Sequence, residues 1–133
     1  MITLAGIRDW IKSFGIAENY YIGVLDNKKE KSIGVYDRDV SGPPDIAIGG
    51  LDATKTEKRS ISLLIHWNKN ANETEQKARY LYNTLLCQNN VTIDGLHVDY
   101  IYLVVPMPIA VGTDDKGVYE YVIQFDLYYQ KEA

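Results

Sequence analysis

ISLLIHWNKNANETEQKARYLYNTLLCQNN, residues 61–90, changes its hydrophobic period halfway along, and that change decides the fold. Ile61, Leu63, Ile65 and Trp67 place an apolar side chain on every second position, with Ser62 and His66 on the opposite face, which is the repeat of a strand. From Thr74 onward, Ala78, Leu81, Tyr82, Leu85 and Leu86 recur at helical spacing and leave Glu75, Lys77 and Arg79 to water. Asn72 is the expected N-cap, since its carboxamide oxygen can accept from a free first-turn amide, and Glu75 three positions on completes a capping-box pattern. Glu73 and Glu75 also suit the positive end of the helix dipole. A strand running straight into an amphipathic helix must lay that helix back on its own sheet, because neither apolar face is covered otherwise. The stretch is the seed of the core, and it carries no catalytic signature.

Around this seed, 133 residues are enough for one domain that buries about two thirds of its unfolded surface without staples. With 46% hydrophobic and 24% charged residues, no apolar run long enough for a bilayer and no secretory signal, the expectation is a cytoplasmic protein without membrane contact. The single cysteine, Cys87, cannot form an internal disulfide and is expected as a small core residue on the apolar side of the helix. A net charge of -4 and a pI near 5.1 give no general attraction to nucleic acid or to an anionic surface. Eleven tyrosines stand against two phenylalanines. A ring with a hydroxyl tolerates partial burial, so this bias points to half-covered faces and to assembly.

Leu4, Ile7, Trp10, Ile11 and Phe14 make an apolar helical stripe, with Thr3 as N-cap and Gly15 free to end the helix in the left-handed region. Residues 20–25 read as a strand, 26–31 as a charged turn whose Lys28, Lys29 and Lys31 are a solvated tip, and 32–36 as the hairpin partner. Residues 37–59 mix Gly42, Pro43, Pro44, Gly49 and Gly50 with charges, and only Ile46 to Ile48 could extend as a short strand. A connection of that length is either a mobile loop or protruding hairpin, or an arm that orders against a neighbouring subunit. Residues 91–93 and 97–105 flank Asp94 and Gly95, whose tolerance of positive φ favours a two-residue hairpin turn. Pro106 and Pro108 end the second of these strands, and TDDKG at 113–117 is another turn. Tyr119, Tyr121, Ile123, Phe125, Leu127 and Tyr129 alternate with Glu120, Gln124 and Asp126 in a closing strand. The fold class is therefore α+β, a two-layer single domain over 1–133 in which two helices cover one face of a mainly antiparallel or mixed sheet.

The same residues offer no recognisable reactive constellation. His66, His97 and Cys87 lack the clustered spacing of a zinc site, and Asp114 and Asp115 lack the spaced oxygens of a calcium loop, so no metal is expected. Gly49 and Gly50 have neither the Lys-Ser/Thr nor the helix of a phosphate-cradling loop. Ser41, Ser60 and Ser62 lie outside any nucleophile elbow, so no cofactor or catalytic residue is assigned. A second reading, a small enzyme or ligand-binding domain with a site between helices and sheet, requires His66, His97 and carboxylates to converge in a deep pocket. The features in best supply are those of an interface: Val40, Pro43, Pro44, Ile46, Ile48 and Leu51 on the expected arm, and Tyr119, Tyr121 and Tyr129 on the last strand, serving both core and contact.

GVYDRDVSGPPDIAIGG (34–50), ISLLIHWNKNANETEQKARYLYNTL (61–85) and GTDDKGVYEYVIQFDLYY (112–129), with the opening IRDWIKSFG, resemble the minor capsid proteins encoded in the tail-and-connector region of phages and prophages of Gram-positive bacteria. That family is similar to the tail terminator proteins of long-tailed phages, small α+β subunits that form a hexameric ring atop the tail tube and join it to the head. The resemblance implies a virion structural protein assembled in the host cytoplasm, with no cofactor and no catalysis. Its implied partners are further copies of itself, the tail tube and the head connector. It supplies no diagnostic functional residues. The acidic balance suits a ring through which DNA passes without specific binding, because carboxylates repel phosphate.

Overall fold

The structure, a computed structural model, describes residues 1–38, 48–50 and 55–131. Helix α1 (Leu4–Lys12) starts where Thr3, in extended conformation, accepts from the Gly6 N–H at 3.0 Å. Ile7 and Ile11 are its buried stripe, Trp10 stands edge-on to Phe14 and Phe125, and Gly15 at φ 69 releases the chain. Strands β1 (Asn19–Ile22), β2 (Ser32–Asp37) and β3 (Thr56–His66) follow, then helix α2 (Ala71–Leu86). A hairpin of β4 (Val91–Ile93) and β5 (Leu96–Leu103) turns at Asp94 and Gly95, with φ 53 and 77, as the Asp-Gly pair demands. Strands β6 (Ile109–Thr113) and β7 (Tyr119–Gln130) complete the chain.

The strands form one sheet in the order β1-β2-β3-β7-β5-β4, and β6 pairs with β7 beyond the reach of β5. Strand β7 is central: β3 runs along it from Thr56↔Gln130 to His66↔Glu120, while β5 takes its C-terminal half and β6 its start. Strict alternation then puts Ile33, Val35, Ile61, Leu63, Ile65, Ile123, Phe125 and Leu127 on one face. Both helices cover that face, joining Ile7, Ile11, Ala78, Leu81 and Leu85 to the strand residues in a single core. The expected α+β architecture is the observed one: two helices against a mixed, curled sheet of seven strands.

Local expectations fare unevenly. The hairpin expected between residues 20–25 and 32–36 is a parallel pair, in register Asn19↔Ser32 to Ile22↔Val35. Gly23 at φ 74 turns the chain off β1, and the connection returns across the sheet, where the Leu25 backbone N–H meets the Tyr36 hydroxyl. The N-cap of α2 is Asn70 rather than Asn72: its Oδ1 accepts from the Glu73 N–H at 3.0 Å. Glu73 in turn accepts from Asn68 Nδ2 at 3.0 Å and lies 3.5 Å from Trp67 Nε1, so the end of β3 fixes the start of the helix two residues early. Leu86 is exposed, since it lies about 100° round the helix from Leu85, off the stripe of Thr74, Ala78, Leu81, Tyr82 and Leu85. Cys87 is the C-cap and is likewise exposed, not a core residue. Strand β3 starts at Thr56, before the apolar alternation does, because polar Thr56 to Ser60 pair with Gln130 to Asp126. Strand β6 has no counterpart in the sequence reading, which assigns no element between Pro108 and the TDDKG turn. The stretch expected as a connection over 37–59 thus has strand at both ends, and its residues 39–47 and 51–54 lie outside the described ones.

Candidate functional site

The helices leave the second face of the sheet open, and its residues come in rows across the strands. At one end Ser32, His66 and Glu120 are level; then Gly34, Leu64, Val122 and Ile109; then Tyr36, Ser62 and Gln124; then Ser60, Asp126 and Tyr102; and last Lys58, Tyr128 and Tyr100. The polar half is tightly tied. His66 is wholly buried, with Nδ1 2.9 Å from Glu120 Oε2 and Nε2 3.7 Å from Asp114 Oδ2. Asp114 Oδ1 accepts from the Val118 and Lys116 N–H groups at 3.0 and 2.8 Å, closing the β6–β7 turn. Those backbone donors, that of Val118 foremost, with the nearby His66 and Lys116, hold the Asp114 carboxyl below the usual range despite some desolvation. Tyr36 lies over Gly34, where a Cβ would stand 2.6 Å from the Tyr36 ring. Burial pushes the Tyr36 hydroxyl up, the Leu25 N–H opposes that shift, and Glu120 adds to it. Further along, Arg38 pairs with the buried Asp126.

An imidazole between two carboxylates is a proton-transfer grouping, but here it is sealed. Two shallow surface depressions, one at the α2 cap beside Glu30 and Asn70 and one beside β1 lined by Arg8, Lys12 and Tyr21, do not include His66. His97 is not near it either: it lies 3.4 Å from Asp99 on the β4–β5 hairpin. The β7 neighbours of these two histidines are some nine positions apart, about 30 Å of extended strand. Among the described residues no cluster of three or more His, Cys, Asp or Glu could hold a metal ion.

The other end of the open face is aromatic. Tyr100 and Tyr102 are exposed, with ring centroids 6.3 Å apart, and Tyr128 stands 6.2 Å from Tyr100. Tyrosine in such a patch offers a rigid apolar ring at low entropic cost, the material of contact surfaces. The residues singled out from sequence are placed differently. Tyr129 is buried and donates to Glu57 at 2.8 Å, its hydroxyl pushed up by burial and then by that carboxylate. Tyr121 is half-buried against the core, Tyr119 is half-buried at the start of β7, and Ile48 is fully exposed. Val40, Pro43, Pro44, Ile46 and Leu51 lie outside the described residues. Sequence reasoning missed Tyr100 and Tyr102 because a bulge between Val98 and Tyr100 reverses the alternation of β5; Ile101 and Leu103, two apolar residues of the opposite parity, were the available signal.

Among the described residues, the sheet face away from the helices thus carries an exposed tyrosine patch and the outer strands lack a strand partner on one edge, while His66 is locked inside. Among the described residues no helix is long and apolar enough to cross a membrane. No curated protein matches the chain. Residues 1–131 match the family described as bacteriophage tail terminator protein, with which the two-layer α+β body agrees. The match takes in every element of the fold, so the chain belongs to the bacteriophage tail terminator family and is a structural component of the phage tail that meets other tail or head proteins in the virion.

Proposed function

We propose that the protein is a minor capsid protein acting as the terminator subunit itself: it assembles with copies of itself into a ring at the head-proximal end of the tail tube and joins tail to head connector. The family match over residues 1–131 carries this reading. The open sheet face with Tyr100, Tyr102 and Tyr128 supports it, as a rigid body with uncovered contact surface is what a ring subunit requires. Assembly takes place in the host cytoplasm. Residues 40–51 serve as the arm that reaches a neighbour, on the strength of their sequence, and a net charge of -4 suits a bore that lets DNA slide through.

Electron microscopy of particles produced without the protein tests the central statement. Full heads and separate tails are expected; normally joined particles would remove the role. Deleting residues 43–49 should leave a folded subunit that joins tails poorly, and normal joining would remove the arm. Charge mapped on the assembled ring should show Asp and Glu on the inner wall, and Lys and Arg there would remove the DNA-sliding step.

A further inference from the structure

Strands β1 and β6 flank the same rows of the sheet from opposite sides. Tyr20 is level with Ile33, Ile65, Tyr121 and Ala110, and Asn19 with Ser32, His66, Glu120 and Gly112. One end of the sheet is therefore a five-stranded band, β1-β2-β3-β7-β6, whose two outer edges are at the same level and, among the described residues, unpaired. Both edges are apolar. All five residues of β6 are exposed, and Met107, Ile109 and Val111 are 51%, 36% and 49% exposed on and beside it. At the other edge Ile22 and Val24 are 38% and 80% exposed. Proteins that remain alone blunt such edges with charge, proline or a covering element. Pro108 precedes β6 and a bulge falls between Ala110 and Gly112, but neither β1 nor β6 carries a charged residue within its bounds.

The two edges are also complementary. Residues 8–31, around β1, carry five Lys and Arg against four Asp and Glu, whereas residues 88–118, around β6, carry one Lys against four Asp. Strand β6 runs in the direction of β3, since both are antiparallel to β7, and β1 runs against β3 because it is parallel to β2. In a neighbour whose strands point the same way, β1 is therefore antiparallel to β6, the orientation in which two edges pair directly.

The geometry points to a second copy of this chain as the occupant of each edge: β6 of one subunit adds antiparallel to β1 of the next, continuing the band from copy to copy. At level register Ile109 stands beside Tyr21 of the next copy on the open face, both being in the row of Leu64 and Val122. The turn with Asp115 and Lys116 comes level with Lys31 and Glu18 of that copy. The contact is heterologous, so it closes into a ring when the rotation between copies divides the circle. This inference rests on the ring reading above and names the surfaces that make the ring.

Cross-linking in assembled tails tests it. In a Cys87→Ser chain supplied to phage lacking the gene, Ile109→Cys and Tyr21→Cys are introduced singly and together, and tails are oxidised and run on non-reducing gels. The double variant should give a ladder that ends at the ring number, while each single variant stays monomeric. Dimers from Ile109→Cys alone, or no ladder from the double variant in tails that hold several copies, overturn the edge assignment and leave the ring reading standing. Tails that hold a single copy overturn both. Should the cysteine variants fail to enter tails, Ile109→Lys should lower joined particles about tenfold and Tyr21→Glu in the same chain should restore them. Equal yields from both chains, each with an unchanged melting temperature as purified subunit, overturn the edge assignment.

Discussion

Replacing Gly6 by alanine sets helix propensity against a turn that reaches in from the far half of the chain. Asp94, at φ 53 in the β4–β5 turn, aims its carboxylate at the first turn of α1, where Oδ2 accepts from the Thr3 N–H at 2.7 Å and from the Thr3 hydroxyl at 2.9 Å. A Cβ on Gly6 would stand 2.4 Å from both carboxylate oxygens and 2.5 Å from Cγ. Those separations are far inside van der Waals contact, so the carboxylate must leave. Two hydrogen bonds at about 0.5–1.5 kcal/mol each are then lost. With them goes the favourable charge at the helix N-terminus, about 0.3–1 kcal/mol. Alanine returns at most about 1 kcal/mol of propensity, and less than that in a first turn. At central values the balance is a loss of about 2 kcal/mol, or about 7 °C in Tm for a domain of this size.

The sign should reverse when the obstruction is removed. Asp94→Gly deletes the carboxylate and keeps a residue at ease with positive φ, so the turn survives. In that background Gly6→Ala should stabilise by up to about 1 kcal/mol. Urea unfolding of the four proteins of the cycle, with m constant, reads the coupling directly. Stabilisation by Gly6→Ala in the otherwise unchanged chain, or the same sign with and without Asp94, would refute the close approach as the reason glycine stands there.

Leu81→Ala should cost about 2–5 kcal/mol because it empties part of the core, whereas Leu86→Ala, on the exposed side of the same helix, should stay within about 0.5 kcal/mol; similar costs in denaturant melts would put the stripe on the wrong face. The Asn68 side-chain amide, and then the Trp67 indole, hold the Glu73 carboxyl below its ordinary value of 4.5, so the folded state binds this proton less readily than the unfolded chain. The stability this supplies is present above pH 4.5 and is lost as pH falls through the lower folded value. Glu73→Gln should flatten that acid limb when unfolding is measured from pH 6 downward, and an unchanged slope would contradict the assignment. Cys87 should react with an aromatic disulfide in native buffer as quickly as in the denatured subunit, since it is exposed; protection lifted only by denaturant would return it to the core.

How far these features were legible in the sequence depends on whether a local signal had one meaning or two. The β3–α2 seam was legible because its period changes from 2 to 3.6 in a single stretch, and only a strand followed by a helix does that. The Asp94-Gly95 turn was legible because positive φ at both positions admits few residue types. The β1–β2 relation was not: two short strands and a polar connection look alike whether the chain doubles back beside β1 or returns across the sheet to run parallel with it. The capping pattern pointed to Asn72, whereas Asn70 is the cap, because the start of α2 is fixed by the bond from Asn68 to Glu73, which exists only once β3 has delivered Trp67 and Asn68 to the helix. The contact surface suffered most. Eleven tyrosines announced an interface, but which of them face outward is a matter of parity, and one extra residue near Asp99 exchanged Tyr100 and Tyr102 for Ile101 and Leu103.

The level edges trace back to the β3–α2 seed of the core. Strand β5 could in principle continue along β7 and cover its start. It stops at Leu103, opposite Phe125; one further bond runs from the Val104 N–H to Gln124 O at 3.0 Å, and Pro106 then brings no donor to the ladder. The Tyr82 hydroxyl of α2 donates to Val105 O at 2.6 Å, so the helix layer fixes the point where the chain leaves the sheet. Residues 119–122 of β7 are then open to β6, which returns after Pro108 and pairs with them, bringing the free edge level with β1 on the far side. In the proposed ring, the helix that closes the core thus also sets where one subunit would end and the next begin. Tyr82→Phe removes that tie with little change in volume, so on the proposed ring it should lower the yield of joined particles in electron micrographs more than it lowers the melting temperature of the single subunit.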